Sequence, residues 1–339
     1  MNPSSIAATA AAAAAAASLL AFTVPMAALA QAPAPQAQVD ALEGLFGKQP
    51  SFRRSQAKGI CASGYFIGNE AGRALSGASV FKGDKVPVVA RFSVGGGNPK
   101  ASDKSRSVRG LALQFSPANG ESWLSANVSA PMFFVSKPEQ FVPFLQARTA
   151  DPATGKPDPV KLKAFNDANP ETTLQGAYLA KTAVPASYGS SSYWSTNAFE
   201  MVTAAGQGQF VRWQFAPEQG MVGLTDDQMK SMPDDFLAAD LRQRVAAAPV
   251  VFDFKLQLAE AGDPLTDPTQ VWPDGRRTVS AGRLVIDAVE AGAGGACDKI
   301  TFNPLVLPQG IKASADPVLL ARAAPYAVSL GRRLTEVPK

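Results

Sequence analysis

Val250-Val251-Phe252-Asp253-Phe254-Lys255-Leu256-Gln257-Leu258 alternates apolar and polar residues from Phe252 onward. A period of two sends one side of a strand into a core and the other toward water, the pattern of an antiparallel sheet with one covered face. Working outward, Phe210 to Phe215 and Gly282 to Val289 carry related patterns on either side. Nearer the N-terminus, Ile60 to Ile67, Val86 to Val94 and Arg109 to Ser116 are rich in β-branched and aromatic residues and bounded by Gly or Pro. Their spacings are too short for helical crossovers between all of them. Helical periodicity falls at residues 140–148, 160–168, 235–247 and 316–333, the last with Asp316 as N-cap and Pro317 at its first position. Strands first and helices later predict an α+β fold with a mostly antiparallel sheet or barrel. Residues 151–159 read as a surface loop and Gly95-Gly96-Gly97 as a plain turn, since no Lys-Ser/Thr or G-x-G-x-x-G pattern accompanies them.

Composition narrows the chemistry. The chain has 339 residues, 46% of them hydrophobic, enough for a sizeable core. It contains 0 histidines. That excludes Ser-His-Asp and Cys-His catalysis, His-ligated zinc and His-ligated haem. The formal charge of +4 is spread along the chain without a Lys/Arg run, so nothing suggests a nucleic-acid partner. Cys61 and Cys297 cannot build a zinc site or an iron–sulfur cluster alone; they either pair or pack separately as small hydrophobes.

No charged side chain precedes Asp40, and an alanine-rich run from Ile6 to Ala30 ends in Ala28-Leu29-Ala30 before Gln31. This A-x-A pattern predicts a signal peptide over residues 1–30, followed by a flexible Pro/Gln-rich linker over 31–45 and one domain over 46–339. The expected location is periplasmic or secreted, without a membrane partner after cleavage. The competing reading of the apolar run is an uncleaved anchor.

Near the C-terminus, Arg322 and Tyr326 stand four residues apart in Ala321-Arg322-Ala323-Ala324-Pro325-Tyr326 and would share a helix face. A guanidinium beside a phenol favours the phenolate, which binds ferric iron well. The pair alone is common in packed helices. It stands, however, in an ordered series: Arg53-Arg54-Ser55-Gln56-Ala57-Lys58-Gly59, Ala90-Arg91-Phe92-Ser93, Ser107-Val108-Arg109-Gly110, Ala130-Pro131-Met132-Phe133-Phe134, Gln270-Val271-Trp272-Pro273 and Phe302-Asn303-Pro304. This series resembles the haem catalase family over roughly residues 50–335, and within it the small exported catalase-related peroxidases. The resemblance implies an antiparallel β-barrel with flanking helices and haem b held between them. It matches Tyr326 to the iron ligand, Arg322 to the arginine beside it, and Arg53, Arg91 and Arg333 to the group that pairs with the haem propionates. Phe141 matches the aromatic on the distal side of the porphyrin, and Ser93 the serine that bonds the distal catalytic residue.

Two positions depart from the family pattern. The distal histidine of the His-x-Lys-Gly motif is replaced by Gln56. Counting back from Pro131 puts Val128 at the distal asparagine position, with Asn127 one residue away. A one-residue slip turns a strand side chain to the other face unless a bulge intervenes. Glutamine does not titrate near neutral pH. Loss of general acid–base catalysis typically costs about 10²- to 10⁴-fold in rate. The expected activity is therefore peroxidase-like reduction of hydrogen peroxide or organic peroxides with a small-molecule reductant, with weak or absent catalase activity. The alternative is a non-catalytic haem-binding carrier, sensor or scavenger. Oligomeric state and NADPH binding stay open.

Overall fold

The alternating segment forms one strand over its whole length, and Val250, Phe252, Phe254, Leu256 and Leu258 are all buried. The computed structural model describes residues 32–290 and 294–336. Its strands are β1 (Gly59–Gly68), β2 (Lys85–Val94), β3 (Arg109–Phe115), β4 (Trp123–Val128), β5 (Tyr193–Trp194), β6 (Phe199–Val202), β7 (Gly208–Pro217), β8 (Val250–Leu258), β9 (Thr278–Val289) and β10 (Ile311–Ala313). Every pairing between them is antiparallel. Strands run side by side as β7-β5-β4-β3-β2-β1-β9-β8, and the β7–β8 pairing closes these eight into a barrel. β6 and β10 extend the sheet beside β7.

Aromatic rings fill the barrel. Phe66 meets Phe115 and Phe254 edge-on at 5.4 and 5.6 Å, and Trp123 stacks on Phe115 at 4.4 Å. Each such pair adds about 0.5–1.5 kcal/mol beyond the area it buries. Closing the barrel leaves β2, β3 and β4 without a free edge and fixes which face of each looks outward. Phe92, Leu111 and Asn127 point inward, and their neighbours Arg91, Ser93, Gly110 and Val128 lie on the outer face.

The helices are α1 (Pro35–Phe46), α2 (Glu70–Leu75), α3 (Phe141–Arg148), α4 (Pro159–Ala168), α5 (Leu174–Lys181), α6 (Asp226–Ser231), α7 (Phe236–Ala247), α8 (Pro317–Leu320) and α9 (Ala323–Thr335). Two expectations need correction. The linker over residues 31–45 is instead largely α1, which starts at Pro35 and packs on α3 and α9. Pro35 sits where a helix needs no N–H, and the residues behind it are good helix formers. Val39 is buried, and Asp40 and Glu43 pair with Arg332 at 2.6 and 3.0 Å. The single helix over 316–333 is two. Asp316 caps α8 through Val318 and Leu319 N–H, as its position predicted, and the chain restarts as α9 with Pro325 in its first turn. Proline cannot donate to the carbonyl four residues back, so a continuous helix is interrupted there.

The expected signal peptide lies outside the described residues. Among the described residues, no helix is long and apolar enough to cross a membrane. Cys61 and Cys297 form a disulfide with Cα atoms 5.3 Å apart, which resolves the alternative left by the sequence.

Candidate functional site

On the outer face of the barrel, Ser93, Gly110 and Val128 stand directly opposite one another across β2, β3 and β4. Gln56 lies over this row. Its Oε1 accepts a 2.5 Å hydrogen bond from Ser93 Oγ. Gly110 makes room for it: a Cβ there would overlap Gln56 Oε1 and stand 2.5 Å from Ser93 Oγ. Gln56 has φ of 53°, a left-handed conformation that costs a non-glycine residue about 1–2 kcal/mol. Arg91 holds that turn from below. Its Nη1 donates to the Gln56 carbonyl at 2.8 Å and its Nη2 to the Ala57 carbonyl at 3.1 Å. Gln56 Nε2 donates to no protein atom among the described residues.

The Val128 and Asn127 question has a plain answer. Asn127 points into the barrel, where its Oδ1 accepts from Trp213 Nε1 at 2.7 Å and its Nδ2 donates to the Leu111 carbonyl at 2.9 Å. β4 pairs with β3 without a register shift here, so the outer-face neighbour of Gln56 is the apolar Val128.

Three arginines gather beside this row. Arg53 Nη2 donates to the carbonyls of Cys297 at 2.9 Å and Ile300 at 2.7 Å, and its guanidinium lies 5.7 Å from the Phe302 ring. Burial, then the charges of Arg91 and Arg333, push the Arg53 guanidinium down to about 9, against the opposing fields of Asp298 and Tyr326. Burial also lowers Arg91 and Arg333, again opposed by Asp298. Arg91 Nε is buried without a hydrogen-bond partner, and its nearest carboxylate oxygen, on Asp298, is 3.8 Å away. The structure thus brings Arg53, Arg91, Arg333 and Tyr326 into one neighbourhood.

Tyr326 is positioned by α9. Arg322, the residue just before the helix, donates to its hydroxyl oxygen from Nη2 at 2.5 Å and from Nε at 3.1 Å. Arg322 Nη1 in turn donates to Asn197 Oδ1 at 3.3 Å, and Asn197 Nδ2 donates to Asp316 Oδ2 at 2.6 Å. Burial raises Asp316, with the Asn197 bond opposing. This chain is anchored at the cap of α8, so the two pieces of the interrupted helix hold the phenol together. Asn197 and the second role of Asp316 carry no local sequence signal, because they meet from 119 residues apart.

Phe141 is placed by aromatic neighbours. It sits 5.6 Å from Phe134, which also contacts Phe133 at 4.3 Å and Phe144 at 4.7 Å. These rings join the helical layer over the barrel.

A closed antiparallel barrel, a tyrosine clamped by an arginine one turn earlier, and a basic group on the same outer face occur here together. The family model described as Catalase matches residues 48–337. The chain belongs to the catalase family. It is 41% identical over 299 residues to a catalase-related peroxidase of Synechococcus elongatus, covering 88% of each chain. It is 32% identical over 302 residues to a catalase-related peroxidase of Mycolicibacterium paratuberculosis, covering 88% of this chain and 94% of the relative. Among solved structures, a bacterial catalase superposes with a TM-score of 0.75 at 22% identity, over 85% of this chain and 58% of that one. Catalase A from Saccharomyces cerevisiae gives a TM-score of 0.75 at 24% identity, over 85% and 62%. These structural likenesses establish the barrel fold. Tyr326, Arg322, the arginine group, Gln56 and Val128 all lie within the residues that the family model matches.

Proposed function

We propose that this protein binds haem b through Tyr326 and acts as an exported peroxidase, reducing hydrogen peroxide or organic peroxides with electrons from a small-molecule reductant. The observation that carries the proposal is the double donation from Arg322 to the Tyr326 oxygen. An oxygen facing two guanidinium donors suits a phenolate that binds ferric iron better than it suits a packing phenol.

The remaining residues fit the group. Arg53, Arg91 and Arg333 share Asp298 as a nearby carboxylate, which leaves an excess of positive charge for the two propionates of a haem. The unpartnered Arg91 Nε supplies a buried donor on that face. When bound, the haem iron supplies the redox chemistry of peroxide reduction. The chain's residues do the rest. Tyr326 would hold the iron, and Arg322 would keep the phenolate charge in place. Gln56 has its carbonyl oxygen engaged by Ser93 and its Nε2 donors unspent, so it can hydrogen-bond a peroxide oxygen and orient it. It cannot accept the peroxide proton, which must travel through water. Two protons and two electrons convert hydrogen peroxide to two waters, and the reductant provides the electrons. This division predicts slow peroxidase turnover and little catalase activity.

Export is supported by the N-terminal sequence and by a buried disulfide, which persists in oxidising compartments. A second reading, a haem-binding protein without turnover, is favoured by one feature: Val128 adds no polar group to the Gln56–Ser93 pair. Peroxide-dependent oxidation of a chromogenic reductant separates the two. The peroxidase reading requires the haem-loaded protein to exceed free haemin per iron; parity leaves the carrier reading standing.

A further inference from the structure

The segment that holds Arg53 is stapled to the barrel. Cys61 lies on β1 directly opposite Arg91 on β2, and its disulfide to Cys297 brings residues 297–300 against that face. Cys61, Cys297, Phe302 and Leu124 form a small apolar cluster there, separate from the barrel core. On this pinned segment the carbonyls of Cys297 and Ile300 take the Arg53 guanidinium. The next side chain, Asp298, points its carboxylate at the arginines. Oδ1 lies 3.8 Å from Arg91 Nε, and Oδ2 accepts the Gly294 N–H at 3.0 Å. Its field acts on Arg53, Arg91 and Arg333 alike. Its backbone carbonyl accepts from Arg53 Nη2 at 3.4 Å, yet the Asp298 carboxylate makes no hydrogen bond to any of the three guanidiniums among the described residues, and the side chain is 42% exposed. It is close enough to offset their charge and too far to spend their donors.

We propose that Asp298 is a built-in counter-ion of the arginine group, held there by the Cys61–Cys297 staple, and that it competes with the carboxylates of the incoming haem. This rests on the haem reading given above. In the protein without an anion, Asp298 offsets the repulsion among three buried or half-buried guanidiniums. When two propionates arrive, the same carboxylate becomes a like charge beside them and weakens their hold. Asp298 therefore sets the affinity for the anionic part of the ligand while leaving the iron–tyrosine bond alone.

The test compares haem with its dimethyl ester, which lacks both carboxylates, by equilibrium titration of the full disulfide-bonded protein. Asp298→Asn keeps the acceptor to Gly294 and removes the charge. It is expected to tighten haem binding by about three- to tenfold, the scale of one to a few half-exposed ion pairs. The dimethyl ester should bind the two proteins equally. Equal tightening for both ligands, no change for haem, or weaker haem binding by the variant would overturn the proposal, the last by showing that Asp298 organises the arginines for the ligand. Asp298→Glu should restore wild-type haem affinity to within about twofold if charge is the cause. A wild-type chain that takes up neither ligand overturns the functional reading itself, a result distinct from all of these.

Discussion

The helix bearing Tyr326 and the barrel row beneath Gln56 belong to one site but are built on opposite principles. Around Tyr326, polar groups form a continuous chain through Arg322 and Asn197 to Asp316, with Asn197 joining from more than a hundred residues away. Around Gln56, the row holds one hydroxyl, one glycine and one valine, and a single side-chain hydrogen bond. The tyrosine side is arranged to hold a charge in place. The glutamine side is arranged to hold a shape, with no group that titrates near neutral pH. Binding and turnover can therefore be separated by substitution, because different residues on different elements control them.

The largest expected effect is on the glutamine side. Gln56→His places a titratable base over the Ser93–Gly110–Val128 row, and peroxidase kcat/KM is expected to rise by about 10²- to 10⁴-fold with haem affinity unchanged. An unchanged rate would mean that proton transfer is not what limits this side. On the tyrosine side, Arg322→Met removes both donors to the phenol oxygen. Loss of such an outer partner typically weakens metal affinity by about 10- to 100-fold. Haem titration should show that loss, while the turnover of each haem-loaded molecule changes far less. The smallest effect sharpens the boundary between site and core. Asn127→Ala breaks a buried bond to Trp213 and should lower unfolding stability in urea by about 1–3 kcal/mol with no change in haem affinity. A change in the haem spectrum of that variant would contradict the inward placement of Asn127.

The barrel was legible because a period of two is local: β8 can be read from nine consecutive residues, with Phe252, Phe254 and Leu256 inside. The i,i+4 pair Arg322–Tyr326 was legible for the same reason, and it survives although the helix expected to carry it is interrupted before Pro325. α1 was hidden because prolines and glutamines at residues 31–38 look like a linker until Val39 finds a buried place against other helices. Face parity was legible in principle at Asn127 and Val128, but only the absence of a bulge in β4 decides which residue faces Gln56. Asn197, Asp298 and the carbonyls that hold Arg53 were out of reach, since they join the site across more than a hundred residues of sequence.

The division into a charge-holding side and a shape-holding side stands or falls on Tyr326. The decisive measurement is the absorption spectrum of the haem-loaded protein and of Tyr326→Phe under the same loading. The wild type should show a high-spin ferric tyrosinate spectrum and Tyr326→Phe should lose it, with far-ultraviolet circular dichroism unchanged. A Tyr326→Phe protein that binds haem with the wild-type spectrum would contradict the account.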